Sequence, residues 1–365
     1  MTGESASERK ERHLSICVDP VLHRVETRAG GSGWERLSFA HRALPELSLA
    51  AIDSGSGFLG YRLRLPLLAS CMTGGSAGGG RVNQVLAAAA NEARIAFGLG
   101  SFRVLLRDSS WLADFQLRRL LPDVPLLANI GAVSLREHGH AAVLDIARRL
   151  EADALVVHLN PAQELFQEGG DRDFVGLRDA LSGLFEASPL PVIVKETGFG
   201  IGPAEARALL AAGASQIDLA GAGGTNWIAV EAERLDPGPL RDAAADFQEW
   251  GYPTALLLAA IAGGGTEPAR LIASGGIRSG LDLAKALALG AGLVGTALPL
   301  LRAVESGGRD GALAFIERLA FGLRSVMLLT GSASIEALRR GILIADSSFH
   351  ADVRSLASAD TAAFL

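Results

Sequence analysis

Short apolar runs alternate with longer segments of helical periodicity over most of the 365-residue chain. Such alternation is typical of repeated βα units with parallel, buried strands. The helical segments include Arg81–Arg94, Arg136–Leu150, Pro203–Ala212 and Leu281–Leu289. The eight apolar runs are Leu65–Ser70, Ile95–Leu99, Val124–Ile130, Ala154–Leu159, Pro191–Lys195, Ser215–Leu219, Ala269–Ser274 and Leu293–Ala297. Eight units favour closure, so the pattern predicts an α/β protein with a (β/α)8 TIM barrel.

Two stretches interrupt this alternation. Residues 1–64 precede the first predicted strand, and residues 221–268 separate strands six and seven with glycine-rich turns, two tryptophans and a polar helix. We expect an N-terminal extension packed on the barrel and an insertion, because long excursions of this kind usually carry lids or partner contacts. With a barrel over residues 65–345 and a tail over 346–365, the chain is effectively one domain.

Composition narrows the classes of function. A net charge of −6 without a dense basic patch argues against nucleic acid as the principal partner. Cys17 and Cys71, the two cysteines, are too few for a disulfide framework, which favours a cytoplasmic location. The polar first residues and the absence of a long apolar run predict no export signal and no membrane span.

Polar side chains are concentrated at the end of the fourth predicted strand. The buried run that starts at Asp153 ends in His158, and Asn160, Gln163 and Glu164 follow it. Pro161 is expected to prevent helical continuation there. In a barrel of parallel strands the carboxyl end is where chemistry takes place, so this segment is the first candidate for a catalytic site.

Glycine-rich or small-residue loops follow several other predicted strands. They cover 70–75, 129–132, 195–198, 221–225, 275–280 and 295–298. Glycine lets backbone N–H groups approach a phosphate, and the last two loops resemble the phosphate site of many barrels. A buried Lys195 needs a partner. Flavin mononucleotide (FMN) fits this set, with its phosphate on the late loops, Lys195 near N1 and the C2 oxygen, and Thr73 and Asn129 at the ring edge.

Eight ordered motifs give the chain a family resemblance. It resembles the FMN-dependent, type 2 isopentenyl diphosphate isomerases from Arg9-Lys10-x-x-His13 onward. The matching segments are Met72–Gly75, Ala128–Ala132, His158–Glu164, Gly170–Arg172, Pro191–Glu196, Gly221–Thr225 with Trp227, Trp250–Thr254 and Ala273–Gly280. This order along the chain makes chance agreement improbable.

The resemblance implies a reaction of isoprenoid biosynthesis, the isomerisation of isopentenyl diphosphate to dimethylallyl diphosphate. It implies reduced FMN and Mg²⁺ as cofactors, with NADPH serving only to reduce the flavin and no net redox change. One proton reaches the terminal alkene carbon and another leaves C2, with the flavin acting in proton transfer. The family also forms homo-oligomers, so a tetramer or octamer is expected here.

The same resemblance implies roles for individual residues. Gln163 matches the catalytic glutamine beside the substrate, where a neutral amide positions the alkene or relays a proton. Glu164 matches the Mg²⁺ ligand. The implied substrate-binding residues are Arg9, Lys10, His13, Ser101, Arg103, His158, Asn160 and Gln163. The implied flavin contacts are Ser70, Cys71, Met72, Thr73, Ser101, Asn129, Lys195, Thr225, Gly275, Gly276, Arg278, Ala297 and Leu298.

Some of these residues also have ordinary structural explanations. Composition alone favours a solvated tail for Arg9, Lys10 and His13, and only the resemblance places them in a site. Cys71 precedes the Met72-Thr73 pair without a base beside it in the sequence, so we interpret it as a small packing residue rather than a nucleophile.

Phe102 stands where the family usually has glutamine. Its ring would either make the site drier and favour a longer or differently shaped isoprenoid, or point into the barrel wall. Two alternatives therefore stay open, a divergent member acting on another prenyl diphosphate and an FMN-dependent oxidoreductase of the hydroxy-acid oxidase type. The oxidase requires a histidine after strand six or seven, and none occurs between Pro161 and His350. Dependence on Mg²⁺ would distinguish an isomerase from this oxidase.

Overall fold

A helix and a hairpin precede the barrel. The computed structural model describes residues 6–27 and 31–359. Helix α1 spans Ala6–Val18 and strand β1 spans Leu37–Phe39, and β2 (Ser56–Phe58) pairs with β3 (Tyr61–Leu63) as an antiparallel hairpin. Arg9, Lys10 and His13 thus belong to a folded helix, in contrast to the solvated tail that composition alone favours.

Eight parallel strands then close into a barrel. Strand β11 pairs with β4, so the sheet has no free edge. No strand end differs by more than two residues from its predicted position, and the predicted (β/α)8 architecture is confirmed. The strands are β4 (Leu67–Ala69), β5 (Ala96–Ser101), β6 (Leu126–Gly131), β7 (Ala154–His158), β8 (Val192–Lys195), β9 (Gln216–Asp218), β10 (Leu271–Ser274) and β11 (Leu293–Thr296).

Helices surround the barrel and continue beyond its last strand. A short strand, β12 (Leu343–Ala345), pairs with β1. The helices are α2 (Ala77–Ala93), α3 (Leu112–Phe115), α4 (Ala132–Arg149), α5 (Pro161–Phe166), α6 (Leu177–Ala187), α7 (Pro203–Ala212), α8 (Trp227–Ala232), α9 (Pro239–Asp246), α10 (Thr254–Gly263), α11 (Gly280–Leu289), α12 (Leu298–Leu329), α13 (Ile335–Arg339) and α14 (Ser347–Ala359). Helices α8, α9 and α10 lie within the predicted insertion, residues 221–268. Among the helices of the described chain, none has the length and apolar character needed to cross a bilayer.

Helices α2 and α4 begin four residues before their predicted starts, and a helix begins at Pro161, where the sequence predicted that a helix could not continue. The first turn of α2 was not predicted because it contains glycines, whose helix propensity is low. One of them, Gly79, is needed for space, because a Cβ there would lie 2.5 Å from Thr73 Oγ1. The expectation that Pro161 blocks a helix is wrong. Pro161 is the first residue of α5, where its fixed φ and missing N–H favour helix initiation.

Side-chain alternation separates the inside of the barrel from its wall. Inward positions such as Leu68, Val156, Ile193 and Ile272 form an apolar cluster inside the barrel. The hairpin closes the amino end of this cluster, because Phe58 and Leu63 pack into it. Tyr61 also donates a hydrogen bond to Asp153 at 3.0 Å there. The carboxyl end is the only end of the strands that the described hairpin leaves open.

Candidate active site

Polar side chains replace apolar ones at inward positions near the carboxyl ends of five barrel strands. The residues are Asn129, His158, Lys195, Asp218 and Ser274, and we call them the polar ring. Strand register places His158 beside Lys195 and Lys195 beside Asp218. Because lateral neighbours in a parallel sheet face the same side, these groups converge on the barrel axis.

A cavity opens above the polar ring. Every residue assigned above to substrate, cofactor or metal lines it, although the residues come from α1 and from the ends of the eight barrel strands and the loops after them. They are Arg9, Lys10, His13, Ser70, Cys71, Met72, Thr73, Ser101, Arg103, Asn129, His158, Asn160, Gln163, Glu164, Lys195, Thr225, Gly275, Gly276, Arg278, Ala297 and Leu298. The structure therefore brings the candidate residues together, while their individual roles remain predictions.

Lys195 forms an ion pair within the polar ring. Its Nζ lies 3.2 Å from Asp218 Oδ2 and donates a long hydrogen bond, 3.5 Å, to Ser274 Oγ. Ser274 Oγ in turn donates to Asp218 Oδ1 at 2.5 Å. This arrangement supplies the partner that a buried ammonium requires. Asp218 was not among the predicted site residues, although it is the next-to-last residue of the strand predicted over Ser215–Leu219 and has the inward alternation.

His158 is an uncharged member of the ring. Burial lowers the pKa of His158 to about 4, and the positive charges of Lys195, Arg103 and Lys10 act in the same direction. Its Nδ1 lies 2.9 Å from Asn129 Oδ1. With an amide oxygen as acceptor, the proton belongs on Nδ1 and Nε2 keeps a lone pair.

Residues that flank α5 hold Glu164 in one orientation. Asn160 Nδ2 donates to Glu164 Oε1 at 3.1 Å, and Gln167 Nε2 and the Asp171 backbone N–H donate to Oε2 at 3.1 and 2.9 Å. All three donors are uncharged, so they orient the carboxylate without neutralising its charge. Glu164 is also buried, with 8% of its surface exposed. A buried carboxylate of this kind suits a hard cation.

Glu231 of α8 is a buried carboxylate that sequence reasoning missed. It accepts a hydrogen bond from Gln163 Nε2 at 2.9 Å and lies 3.0 Å from His13 Nε2, and Arg234 also pairs with it. Burial alone would raise the pKa of Glu231, but the contacts with His13, Gln163 and Arg234 hold it below its usual value. The insertion thus ties the α1 histidine to the predicted catalytic glutamine. No local sequence signal marks this contact, because it depends on how α8 folds back.

Helix α1 brings cationic side chains to the cavity. Lys10 Nζ donates to the backbone oxygens of Gly74 at 2.5 Å and Ser101 at 3.3 Å. Burial lowers the pKa of Lys10 to about 8, and the charges of Arg9 and Arg103 contribute. Burial also lowers the pKa of Arg9, although the nearby carboxylates oppose this. Such crowding of positive groups favours an anion.

Glycine loops form the opposite wall of the cavity. Gly275 and Gly276 adopt φ values of +114° and +75°, which favour glycine. Helices α11 and α12 begin beside these loops, so their N-terminal dipoles favour an anion. Arg278 Nη1 donates to the Gly223 oxygen at 2.8 Å. The loops therefore have the geometry of a phosphate site.

Glu26 lines the cavity and is a second carboxylate that the sequence did not reveal. Arg278 Nη2 donates to Glu26 Oε1 at 2.5 Å, and Arg302 Nη1 donates to Oε2 at 2.6 Å. Burial would raise the pKa of Glu26, but the hydrogen bonds from Arg302 and Arg278 hold it below its usual value. The guanidinium of Arg278 is thus held at the cavity wall by a residue of the N-terminal extension.

Comparison with known proteins identifies the family. A model of the FMN-dependent dehydrogenase family matches residues 162–345. Isopentenyl-diphosphate delta-isomerase from Synechococcus sp. is 46% identical over 343 residues, covering 93% of this chain and 97% of the relative. The enzyme of that name from Stutzerimonas stutzeri is 44% identical over 350 residues, covering 94% and 99%. The chain belongs to the isopentenyl-diphosphate delta-isomerase family. The resemblance seen in the motifs is thereby confirmed.

Solved structures support the architecture of this family member. A lactate oxidase from Pediococcus acidilactici superposes with a TM-score of 0.65 at 17% identity, covering 95% of this chain and 96% of the other. A mandelate oxidase mutant superposes with a TM-score of 0.61 at 21% identity, covering 92% and 94%. At such low identity the likeness concerns the fold alone.

The donor set of this isomerase-family chain also fits FMN. Ser70 and Thr197 line the cavity, and their hydroxyl oxygens are buried without a protein hydrogen-bond partner among the described residues. Buried hydroxyls are rarely left unpaired in native proteins. The polar edge of a flavin ring would supply their partners, and the glycine loops would receive the phosphate. FMN is therefore compatible with both ends of the cavity.

Phe102 and Cys71 behave as packing residues. Phe102 is completely buried in the core between the barrel and its helices and does not line the cavity. Burial raises the pKa of Cys71 to about 12, so its thiol stays protonated. Both cysteines are free thiols. The aromatic departure from the family pattern thus gives no reason to expect an altered substrate.

Proposed function

We propose that this chain isomerises isopentenyl diphosphate to dimethylallyl diphosphate with reduced FMN and Mg²⁺, NADPH serving only to reduce the flavin. One observation carries the proposal: the cavity joins the cationic groups of α1 to the Gln163–Glu164 cluster of α5 above the polar ring. An anionic head group and an alkene are the two parts of the substrate that such a cavity has to recognise. Membership of the isomerase family supports the same assignment.

The cationic groups of α1 and β5 would bind the diphosphate. Arg9, Lys10 and Arg103 contribute charge, Ser101 contributes a hydroxyl donor, and Asn160 would flank the diphosphate. Because Lys10 is held by two backbone oxygens, its ammonium is fixed before the substrate arrives.

His158 can join the diphosphate only in another tautomer. Donation from Nε2 to a phosphate oxygen requires Nδ1 to accept a hydrogen bond. The Asn129 amide would then have to present its nitrogen rather than its oxygen to Nδ1. We therefore expect a rotated Asn129 amide in the substrate complex.

Glu164 would hold Mg²⁺ against the diphosphate. Its charge is uncompensated by the three neutral donors that orient it. Within residues 6–27 and 31–359 no group of three His, Cys, Asp or Glu side chains converges as a metal cluster. A single carboxylate completed by phosphate oxygens and water is a usual Mg²⁺ environment.

Gln163 is placed to position the reacting alkene. Asn160 Nδ2 donates to its Oε1 at 3.2 Å, and its Nε2 donates to Glu231 at 2.9 Å. Both ends of the amide are therefore fixed. A neutral amide in this orientation would position the alkene or relay a proton without competing as a strong base.

The cofactor would supply proton transfer around N5 of its reduced ring. Lys195 would lie near N1 and the C2 oxygen, and Thr73, Asn129 and Ser70 would meet the ring edge. The remaining predicted contacts, through Met72, Thr225 and the glycine loops, would hold the ring and phosphate. In this arrangement the chain's residues bind and orient, and the substrate gains one proton at the terminal carbon and loses one from C2.

The two alternatives have less support. The hydroxy-acid oxidase type lacks the histidine it needs, since none occurs between Pro161 and His350. The altered prenyl substrate rested mainly on Phe102, whose ring is outside the cavity. A tetramer or octamer and a cytoplasmic location remain predictions, and light scattering after size-exclusion chromatography checks the first.

Stoichiometry tests the proposal. The flavin is reduced anaerobically with a limited amount of NADPH, and isopentenyl diphosphate is then added with and without Mg²⁺. Many product molecules per NADPH, formed only with Mg²⁺, are expected of an isomerase. One turnover per reducing equivalent, or turnover indifferent to Mg²⁺, would contradict it.

A further inference from the structure

Asp218 is a buried carboxylate that the proposed reaction does not use. It is 2% exposed and lies beneath Lys195 and Ser274, both of which line the cavity while Asp218 does not. Register makes Asp218 the lateral neighbour of Lys195 on the adjacent strand and of Ile272 on the other side. The carboxylate therefore lies between the apolar barrel interior and the cavity floor.

The surroundings make the Lys195–Asp218 pair electrostatically strong. Ile193, two residues before Lys195 on β8, and Ile272, the lateral neighbour of Asp218 on β10, both belong to the apolar interior cluster and flank the pair. Charges at a separation of 3.2 Å interact strongly where water is scarce. The positive field that reaches the cavity is consequently that of the pair, and Lys195 alone does not determine it.

Ser274 reduces the effective negative charge of Asp218. Its hydroxyl donates to Asp218 Oδ1 at 2.5 Å, so part of the carboxylate's charge is taken up by this hydrogen bond. Asp218 Oδ2 is left to Lys195. Asp218 therefore weakens the positive electrostatic field of Lys195, and the hydrogen bond from Ser274 reduces this effect of Asp218.

We propose that Asp218 is a positioning residue that fixes Lys195 and limits the positive charge that Lys195 presents to the flavin ring, and so sets the reduction potential of bound FMN. Reduction makes the ring more electron-rich, so a nearby cation favours the reduced form and a nearby carboxylate opposes it. The inference rests on the cofactor of the proposed function, but it does not depend on the substrate.

The test compares FMN-loaded variants by reductive titration against a reference dye. Asp218→Asn removes the opposing charge, so the ratio of the dissociation constants of oxidised and reduced FMN is expected to rise about tenfold, a shift of about +30 mV for two electrons. Ser274→Ala leaves more charge on Asp218, and a smaller shift of opposite sign is expected. Asp153→Asn is the matched control, because it removes a carboxylate paired with Arg118 at the other end of the barrel and should leave the potential unchanged.

Each outcome decides the matter. An unchanged or lowered potential in flavin-bound Asp218→Asn overturns the proposal, as does an equal shift in Asp153→Asn. If Asp218→Asn fails to bind FMN, the Ser274→Ala variant tests the proposal. A reduction potential that is unchanged or raised in that variant would also overturn it. If the variants shift the reduction potential as expected but the wild-type chain shows no isomerase activity, this inference stands and the proposed function is wrong. A wild-type chain that does not bind FMN would remove both.

Discussion

The two ends of the barrel each contain a carboxylate paired with a cation, but the pairs differ in how completely the protein satisfies them. At the amino end, Asp153 accepts hydrogen bonds from Arg118 at 2.5 Å, the Leu126 N–H at 2.7 Å and Tyr61 at 3.0 Å. Arg118 donates further to backbone oxygens, including that of Leu121 at 2.9 Å. Protein groups alone complete this end.

The carboxyl end is left incomplete. Lys195 has one close partner, Asp218, and a long contact with Ser274. Nearby, the hydroxyls of Ser70 and Thr197 are buried without a protein partner among the described residues. Similar pairs thus serve different purposes, because saturated polar groups support structure and unsaturated ones await a ligand.

The largest effect is expected from the carboxylate and amide of α5. Glu164→Gln or Gln163→Asn should lower turnover at least about 100-fold, because metal binding or alkene positioning is lost while the flavin site is untouched. Steady-state kinetics and the flavin spectrum of the same samples check this. Retained turnover in both variants would refute the assigned roles.

A smaller loss is expected at Lys195. Lys195→Met should weaken FMN binding about tenfold or more, because a cationic contact with the ring is removed and Asp218 is left buried without its partner. Fluorescence titration of apoprotein measures the affinity. Arg118→Met, the corresponding change at the amino end, should leave FMN affinity unaltered, and equal losses in the two variants would remove the contrast between the ends.

The opposite pattern is expected at Asp153. Asp153→Ala should lower the free energy of unfolding by about 2–3 kcal/mol, because charge-assisted hydrogen bonds are lost and the donors of Arg118 and Leu126 are left unpaired. Chemical denaturation measures this loss. FMN affinity should stay at the wild-type value, and a large drop in affinity would show that the amino end also serves the site.

The pKa of Lys10 predicts a pH effect on substrate binding. With a pKa of about 8, the ammonium is charged below that pH and lost above it. KM for isopentenyl diphosphate should therefore rise as pH increases beyond about 8, by up to about tenfold per pH unit for one proton. Lys10→Arg keeps its charge and should flatten this rise, so an unaltered profile would count against Lys10.

The smallest effect concerns Glu196. Burial raises the pKa of Glu196 to about 7 from 4.5, although backbone N–H groups of Gly198, Phe199 and Gly200 oppose the shift. The folded state then binds the proton more tightly than the unfolded state does. The stability that protonated Glu196 contributes is therefore fully present below pH 4.5 and is lost as pH rises through about 7. Glu196→Gln should lessen this fall in thermal melts, and a slope equal to that of wild type would contradict the assignment.

Periodicity predicted the fold because buried parallel strands leave a strong local signal. All eight strands were found within two residues of their ends, and the loops after them carried the candidate residues. Asp218 could have been found by the same reasoning, since it is the next-to-last residue of the strand predicted over Ser215–Leu219 and has the inward alternation of Lys195.

Other features had no local signal. The contact between Glu231 and Gln163 depends on the path of the insertion, and the contact between Glu26 and Arg278 depends on the extension. Pro161 misled because proline both ends helices and begins them. Phe102 was left undecided because a sequence position beside a strand end does not reveal whether a ring faces the cavity or the wall.

The central claim is that this cavity moves protons on a prenyl diphosphate without net redox change. The most direct measurement is an anaerobic reaction of the FMN- and Mg²⁺-loaded protein, reduced by NADPH, with isopentenyl diphosphate in deuterated water, followed by NMR of the product. The account predicts dimethylallyl diphosphate with deuterium in a methyl group, formed in large excess over the NADPH consumed. Reduced flavin with unlabelled, unchanged isopentenyl diphosphate would contradict it.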